Sequence, residues 1–124
     1  MNLRRLLGAR GETLAARYLR KTAGHRILKK NYRSPAGEID LISVDGDTLV
    51  FVEVKTRRDD RMSDPEQAVN ADKRRKLTRC ARGFVNERKL HDWPFRFDIV
   101  SVILPAGGEP CVKHIPEAFM PQRW

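Results

Sequence analysis

Residues 37–57 read GEIDLISVDGDTLVFVEVKTR, two apolar runs on either side of Asp45-Gly46-Asp47. Asp-Gly between apolar runs is a strong hairpin signal, so strands are predicted over Glu38–Val44 and Thr48–Lys55. Three residues do not belong in a plain buried hairpin: Asp40, Glu53 and Lys55. Side chains alternate along a strand, so Glu53 and Lys55 share a face with Leu49 and Phe51, and Asp40 shares one with Glu38, Ile42 and Val44. A two-residue loop at Gly46-Asp47 sets Asp40 opposite Glu53. A loop at Asp45-Gly46 sets it opposite Phe51, with Glu53 a diagonal neighbour. Either register puts both carboxylates on one face, within roughly 5 to 8 Å. A three-residue loop breaks this unless a bulge restores the phase.

Two carboxylates that close on an apolar face repel each other and lose hydration, so protonation, a basic neighbour or a bound cation must compensate. Lys55 supplies part of that. Mg²⁺ does it better, because it takes one or two carboxylates and keeps its other positions for water and phosphate oxygens. A metal held there lowers the pKa of a bound water and offsets charge on a phosphate under attack, and Lys55 can orient that water or stabilise the transition state. The other reading is an edge strand whose polar residues face water.

Outward from the hairpin, Leu3, Leu7, Leu14 and Tyr18 recur at helical spacing and predict an amphipathic helix over residues 3–22, capped by Gly24. Glu12 lies on a second stripe of that helix with Gly8, Ala15 and Leu19, mostly small residues that allow close packing. It either reaches the hairpin site or pairs with an arginine at the surface. Lys29-Lys30-Asn31-Tyr32-Arg33 reads as a basic connection into the Ser34-Pro35 turn, and Arg57–Asp64 as a polar loop. Pro65 suits a short helical start, and Asn70 caps a longer helix over Ala71–Val85. Lys73 sits there on a stripe with Val69, Leu77 and Ala81, either snorkelling to water or reaching the carboxylates. A strand over Arg96–Leu104, a turn at Pro105–Gly108, a strand over Cys111–Ile115 and a helical turn over Pro116–Phe119 complete the chain. The expected fold is a single α/β domain over residues 1–124, a central mixed sheet flanked by helices in the order α-β-β-α-β-β.

Composition narrows the partner. The chain's 124 residues hold 25 lysines and arginines against 16 acids, a net charge of +9 and a pI near 10.2, which favours phosphate polyanions over a neutral partner. Cys80 and Cys111 form no CxxC pair, and His25, His91 and His114 lack metal-ligand spacing, so a reduced, intracellular protein is expected. No apolar run approaches a membrane span, and the first residues have no sustained apolar core of a signal peptide. A cytoplasmic protein with no membrane partner follows.

Asp40 followed by Glu53-Val54-Lys55 resembles the PD-(D/E)xK signature of restriction-endonuclease-like nucleases, with Ile39 where that name has proline. Glu12 resembles the extra acid of archaeal Holliday-junction resolvases, which share the core. Across nearly the whole chain, Gly11-Glu12, Ala15, Tyr18-Leu19, Asn31-Tyr32-Arg33, Gly37–Ile42, Phe51–Lys55, Lys73 and Arg96-Phe97-Asp98 are similar to the YraN-like family of small bacterial proteins. The resemblance implies a restriction-endonuclease-like core, Asp40 and Glu53 as ligands of Mg²⁺ or Mn²⁺, Lys55 as the catalytic lysine and Glu12 as an accessory acid. Asp98 belongs to the pattern but is read as structural, pairing with an arginine. Arg57, Arg58 and Arg61, with Lys73, Arg74, Arg75 and Lys76, are the candidate phosphate contacts; a solvated helix face is the other reading of the last run.

The function expected is therefore a metal-dependent endonuclease acting on DNA, branched or otherwise structured DNA included. The alternative is a nucleic-acid-binding or adaptor module that keeps the fold without catalysis. A homodimer would suit symmetrical cutting of both strands.

Overall fold

The computed structural model describes residues 2–59 and 69–121. Its elements run α1 (Leu3–Lys21), β1 (Arg26–Ser34), β2 (Gly37–Asp45), β3 (Thr48–Arg57), α2 (Ala71–Arg88), β4 (Phe95–Ile103) and β5 (Cys111–Phe119). The helical start at Pro65, Arg61 and the end of the polar loop lie outside the described residues.

The strands form one mixed sheet in sequence order. β1, β2 and β3 are an antiparallel meander, β3 and β4 run parallel with α2 as the crossover, and β4 and β5 are antiparallel. Asp45 pairs with Thr48, so the hairpin loop is the two-residue Gly46-Asp47 turn, and Gly46 supplies the positive φ of 64° at its first position.

A helix on each face explains the continuous apolar runs of the central strands, since strands covered on both sides bury every residue. Leu49, Phe51 and Phe97 face α2 with Leu77, Ala81 and Phe84. Val50, Val52, Val100 and Val102 face α1 with Ala15, Ala16 and Leu19. Asn2 and Asn70 cap the two helices by accepting from the backbone N–H of Arg5 and Lys73, and α1 turns out through Gly24 at φ 77°.

Three expectations need correction. The order is α-β-β-β-α-β-β, because Arg26–Ser34 is a strand and not a connection. Its alternation is hidden by a bulge between Ile27 and Lys29 and by Asn31 at φ 52°, and as an edge strand it carries charge freely. Pro116–Phe119 continues β5 and does not turn into helix; an edge strand tolerates proline because no neighbour needs its N–H. The leucine stripe forms only the margin of the buried face of α1: Leu7, Leu14 and Tyr18 are partly buried and pack against the core. Gly11, Ala15, Ala16 and Leu19 are buried, while Leu3 and Leu6 remain exposed.

Gly11 fixes how closely α1 approaches the sheet. A Cβ there would overlap the Thr56 side chain, whereas one at Gly8 would meet nothing. Gly11→Ala is therefore expected to lower stability by about 1–3 kcal/mol through overpacking, and Gly8→Ala to raise it by roughly 0.5–1 kcal/mol through helix propensity. Urea unfolding of the two variants checks the pair; equal effects would mean that α1 is not seated on Thr56.

Candidate active site

The register of the hairpin brings the carboxylates to one end of the sheet. The β2–β3 pairing is recorded from Asp45↔Thr48 to Leu41↔Val52; one step further, Asp40 would stand opposite Glu53. There the Asp40 side chain takes over from the backbone: its Oδ2 accepts from the Val54 N–H at 2.8 Å. Glu53 is buried, only 6 % exposed, on the α2 side of β3. Lys55 Nζ from the same strand and Lys73 Nζ from the first turn of α2 stand 3.4 and 3.5 Å from its Oε1. Lys73 thus reaches the carboxylates, the second of its two readings.

Burial pushes Asp40 up to about 7, with the charges of Glu53 and Glu12 adding to it and the Val54 N–H and Lys73 opposing it. Burial also raises Glu12, helped by Glu38 and Glu53 and opposed by a hydrogen bond from Asn31. A carboxyl that resists ionisation this strongly faces too little positive charge for its surroundings.

These groups line a cleft of about 660 Å³ formed by the N-terminal part of α1 and the ends of β2 and β3, which Lys73 enters from α2. Glu12, Glu38, Asp40 and Glu53 are its acids; Arg4, Lys55, Arg57, Arg58 and Lys73 are its cations. Carboxylates set among cations suit a divalent ion bound together with a phosphate, each charge answered by one of the opposite sign. Among the described residues, no three of His, Cys, Asp and Glu are grouped so as to hold a metal ion.

The remaining predicted contacts separate. Arg74 turns inward, donating from Nε to the Val69 carbonyl at 2.9 Å and lying over the Phe119 ring. Arg75 and Lys76 pair with Asp72 on the exposed face of α2, at 3.4 and 3.3 Å. Neither lines the cleft.

A second polar cluster lies on the α1 face, towards the hairpin turn. Asp98 is fully buried and accepts from Arg96 at 2.9 and 3.2 Å, His114 Nε2 at 2.8 Å and the Glu117 N–H at 3.1 Å. Asp45 accepts from Arg96 at 3.0 Å, and His25 Nδ1 lies 3.0 Å from Ser43 Oγ. The expected pairing of Asp98 with an arginine is present. The meeting of His25 and His114, ring centroids 5.7 Å apart, had no signal in the sequence, because strand pairing alone joins residues so distant along the chain.

The model of the uncharacterised protein family UPF0102 matches residues 11–102, a span that includes Glu12, Asp40, Glu53, Lys55, Lys73 and Asp98. A UPF0102 protein of Rhodococcus opacus is 45% identical over 113 residues, 91% of this chain and 95% of the relative. One of Trichlorobacter lovleyi is 41% identical over 114 residues, 91% and 89% of the two chains. One of Syntrophus aciditrophicus is 46% identical over 113 residues, 90% and 87%.

Proposed function

We propose that this chain, which belongs to the uncharacterised protein family UPF0102, is a metal-dependent endonuclease that hydrolyses phosphodiester bonds in DNA, on a restriction-endonuclease-like core. The observation that carries the reading is Asp40: a half-buried carboxyl held up to about 7 beside the buried carboxylate of Glu53, in a cleft ringed by cations. A site built only for stability has no use for that repulsion.

Asp40 and Glu53 fit a Mg²⁺ or Mn²⁺ ion as a two-carboxylate set that leaves room for water and phosphate. Such an ion, when bound, supplies an activated water and a counter-charge for the phosphate. The chain's own groups do the rest. Lys55, on the Glu53 strand, orients the water or offsets charge on the phosphoryl oxygens. Arg57 and Arg58 hold the flanking backbone, Lys73 keeps Glu53 in place, and Glu12 is the accessory acid.

A second reading, a binding or adaptor module, is favoured by one observation. Both lysines already pair with Glu53, so part of the cluster is neutral without a metal. Incubating wild type and Lys55→Ala with labelled duplex, single-stranded, flap and four-way-junction DNA in Mg²⁺ or Mn²⁺ separates the two. Wild type is expected to cut at least one substrate, and Lys55→Ala to lose about 10²–10³-fold in rate while binding as before. Binding without cleavage on all four substrates would leave the adaptor.

A further inference from the structure

We infer that edge strand β1 and the C-terminal half of α1 form a second anion-binding surface, a track along which duplex DNA lies as it leaves the cleft. The inference rests on the nucleic-acid reading of the cleft and assigns it a surface no site residue marks. From Thr13 to Gly37 the chain holds seven lysines and arginines and no aspartate or glutamate, so these 25 residues carry seven of the nine net charges. The rest of the chain is nearly neutral. Arg17, Arg20, Lys21, Arg26, Lys29, Lys30 and Arg33 are all exposed.

The strand geometry turns this stretch into a line. Among the described residues β1 is paired on one side only, with β2, and Arg26 pairs with Val44 near the hairpin turn while Arg33 pairs with Glu38. Arg33 Nε also stands 3.4 Å from the Glu38 carboxylate, which lines the cleft. The cations therefore start at the cleft and run away from it. Seven strand steps cover roughly 23 Å at about 3.3 Å each, which matches about seven phosphates of one strand of a duplex at 3.4 Å per step. Beside them, Arg20, Arg26, Lys29 and Lys30 line a groove of about 500 Å³.

Another protein strand is a poor occupant. The bulge after Ile27, the left-handed Asn31 and the paired lysines 29 and 30 are devices that keep an edge from adding a strand. A polyanion needs only the charge.

The test is binding of a short duplex over a range of NaCl concentrations, without divalent metal, by Lys29→Ala/Lys30→Ala. A variant of equal charge, Lys89→Gly/Lys113→Ala, is the control, glycine being chosen because Lys89 sits at φ 55°. The β1 variant is expected to lose about 2 from the slope of log K against log salt and about 10- to 30-fold in affinity near 0.15 M; the control should lose far less. Duplex binding by wild type with equal loss in both variants would overturn the track and leave the cleft's reading standing. No duplex binding by wild type would overturn both. Stronger binding to anionic lipid vesicles than to duplex, lost in the β1 variant, would overturn DNA as the occupant.

Discussion

Asp40→Asn is expected to abolish metal-dependent cleavage and, at the same time, to make the protein more stable above neutral pH. The sign follows from the proton count. Asp40 is raised to about 7 in the folded protein, against about 3.9 in an unfolded chain. Between these values the folded state holds a proton that the unfolded state has lost, so stability falls as pH rises through the window. Asparagine removes that penalty and keeps an oxygen to accept from Val54. At about pH 8 the gain should reach up to about 4 kcal/mol, roughly three pH units at about 1.36 kcal/mol each, vanishing below about pH 4. Mg²⁺ should raise the melting temperature of wild type at pH 8 and leave that of Asp40→Asn unmoved, a readout independent of cleavage. An Asn variant no more stable than wild type at that pH would mean that Asp40 is comfortably ionised without a metal, and the reading of the cleft would lose its main support.

The part of this cleft carried by local pattern was legible. Asp-Gly marked the hairpin and alternation put Asp40, Glu53 and Lys55 together, while the stripe through Val69, Leu77 and Ala81 left open whether Lys73 reached them. What failed was whatever the pattern hid. β1 disguises its alternation behind a bulge and four cations, and β5 continues past a proline that only an edge strand could hold. The most buried positions of α1 went mainly to small residues, because Thr56 leaves no room for a larger one at Gly11; Leu7, Leu14 and Tyr18 of the predicted stripe pack at the margin, partly buried. Arg74, Arg75 and Lys76 look alike in sequence, yet one packs on Phe119 and two pair with Asp72. A run of charges does not say which way each one points.

The other end of the sheet should behave in the opposite sense. Asp98→Ala is expected to cost about 3–5 kcal/mol, since it breaks a buried ion pair, leaving His114 without its acceptor and Arg96 with Asp45 alone. That is a large share of the roughly 5–15 kcal/mol that holds a protein of this kind together, so urea unfolding at neutral pH should show it directly. Asp98→Asn keeps an acceptor and should lose less, which preserves the test if the alanine variant does not fold. A loss below about 1 kcal/mol would mean that the cluster is replaceable. The pH dependence gives an independent check. Hydrogen bonds from His114, Arg96 and the Glu117 N–H hold Asp98 below the usual carboxylate range, against the effect of burial; the stability this supplies is present above about 3.9 and is lost as pH falls. Burial likewise holds His25 below its ordinary value, against the pull of Asp45, so stability also declines as pH drops below about 6.5. Asp40 works the other way over much of that range. Removing Asp98 should therefore flatten the acid side of the stability profile, and removing the charge of Asp40 should flatten its neutral side. At one end of the sheet Asp98 is lowered by the groups that donate to it, and at the other Asp40 is raised by burial and by the charges of Glu53 and Glu12.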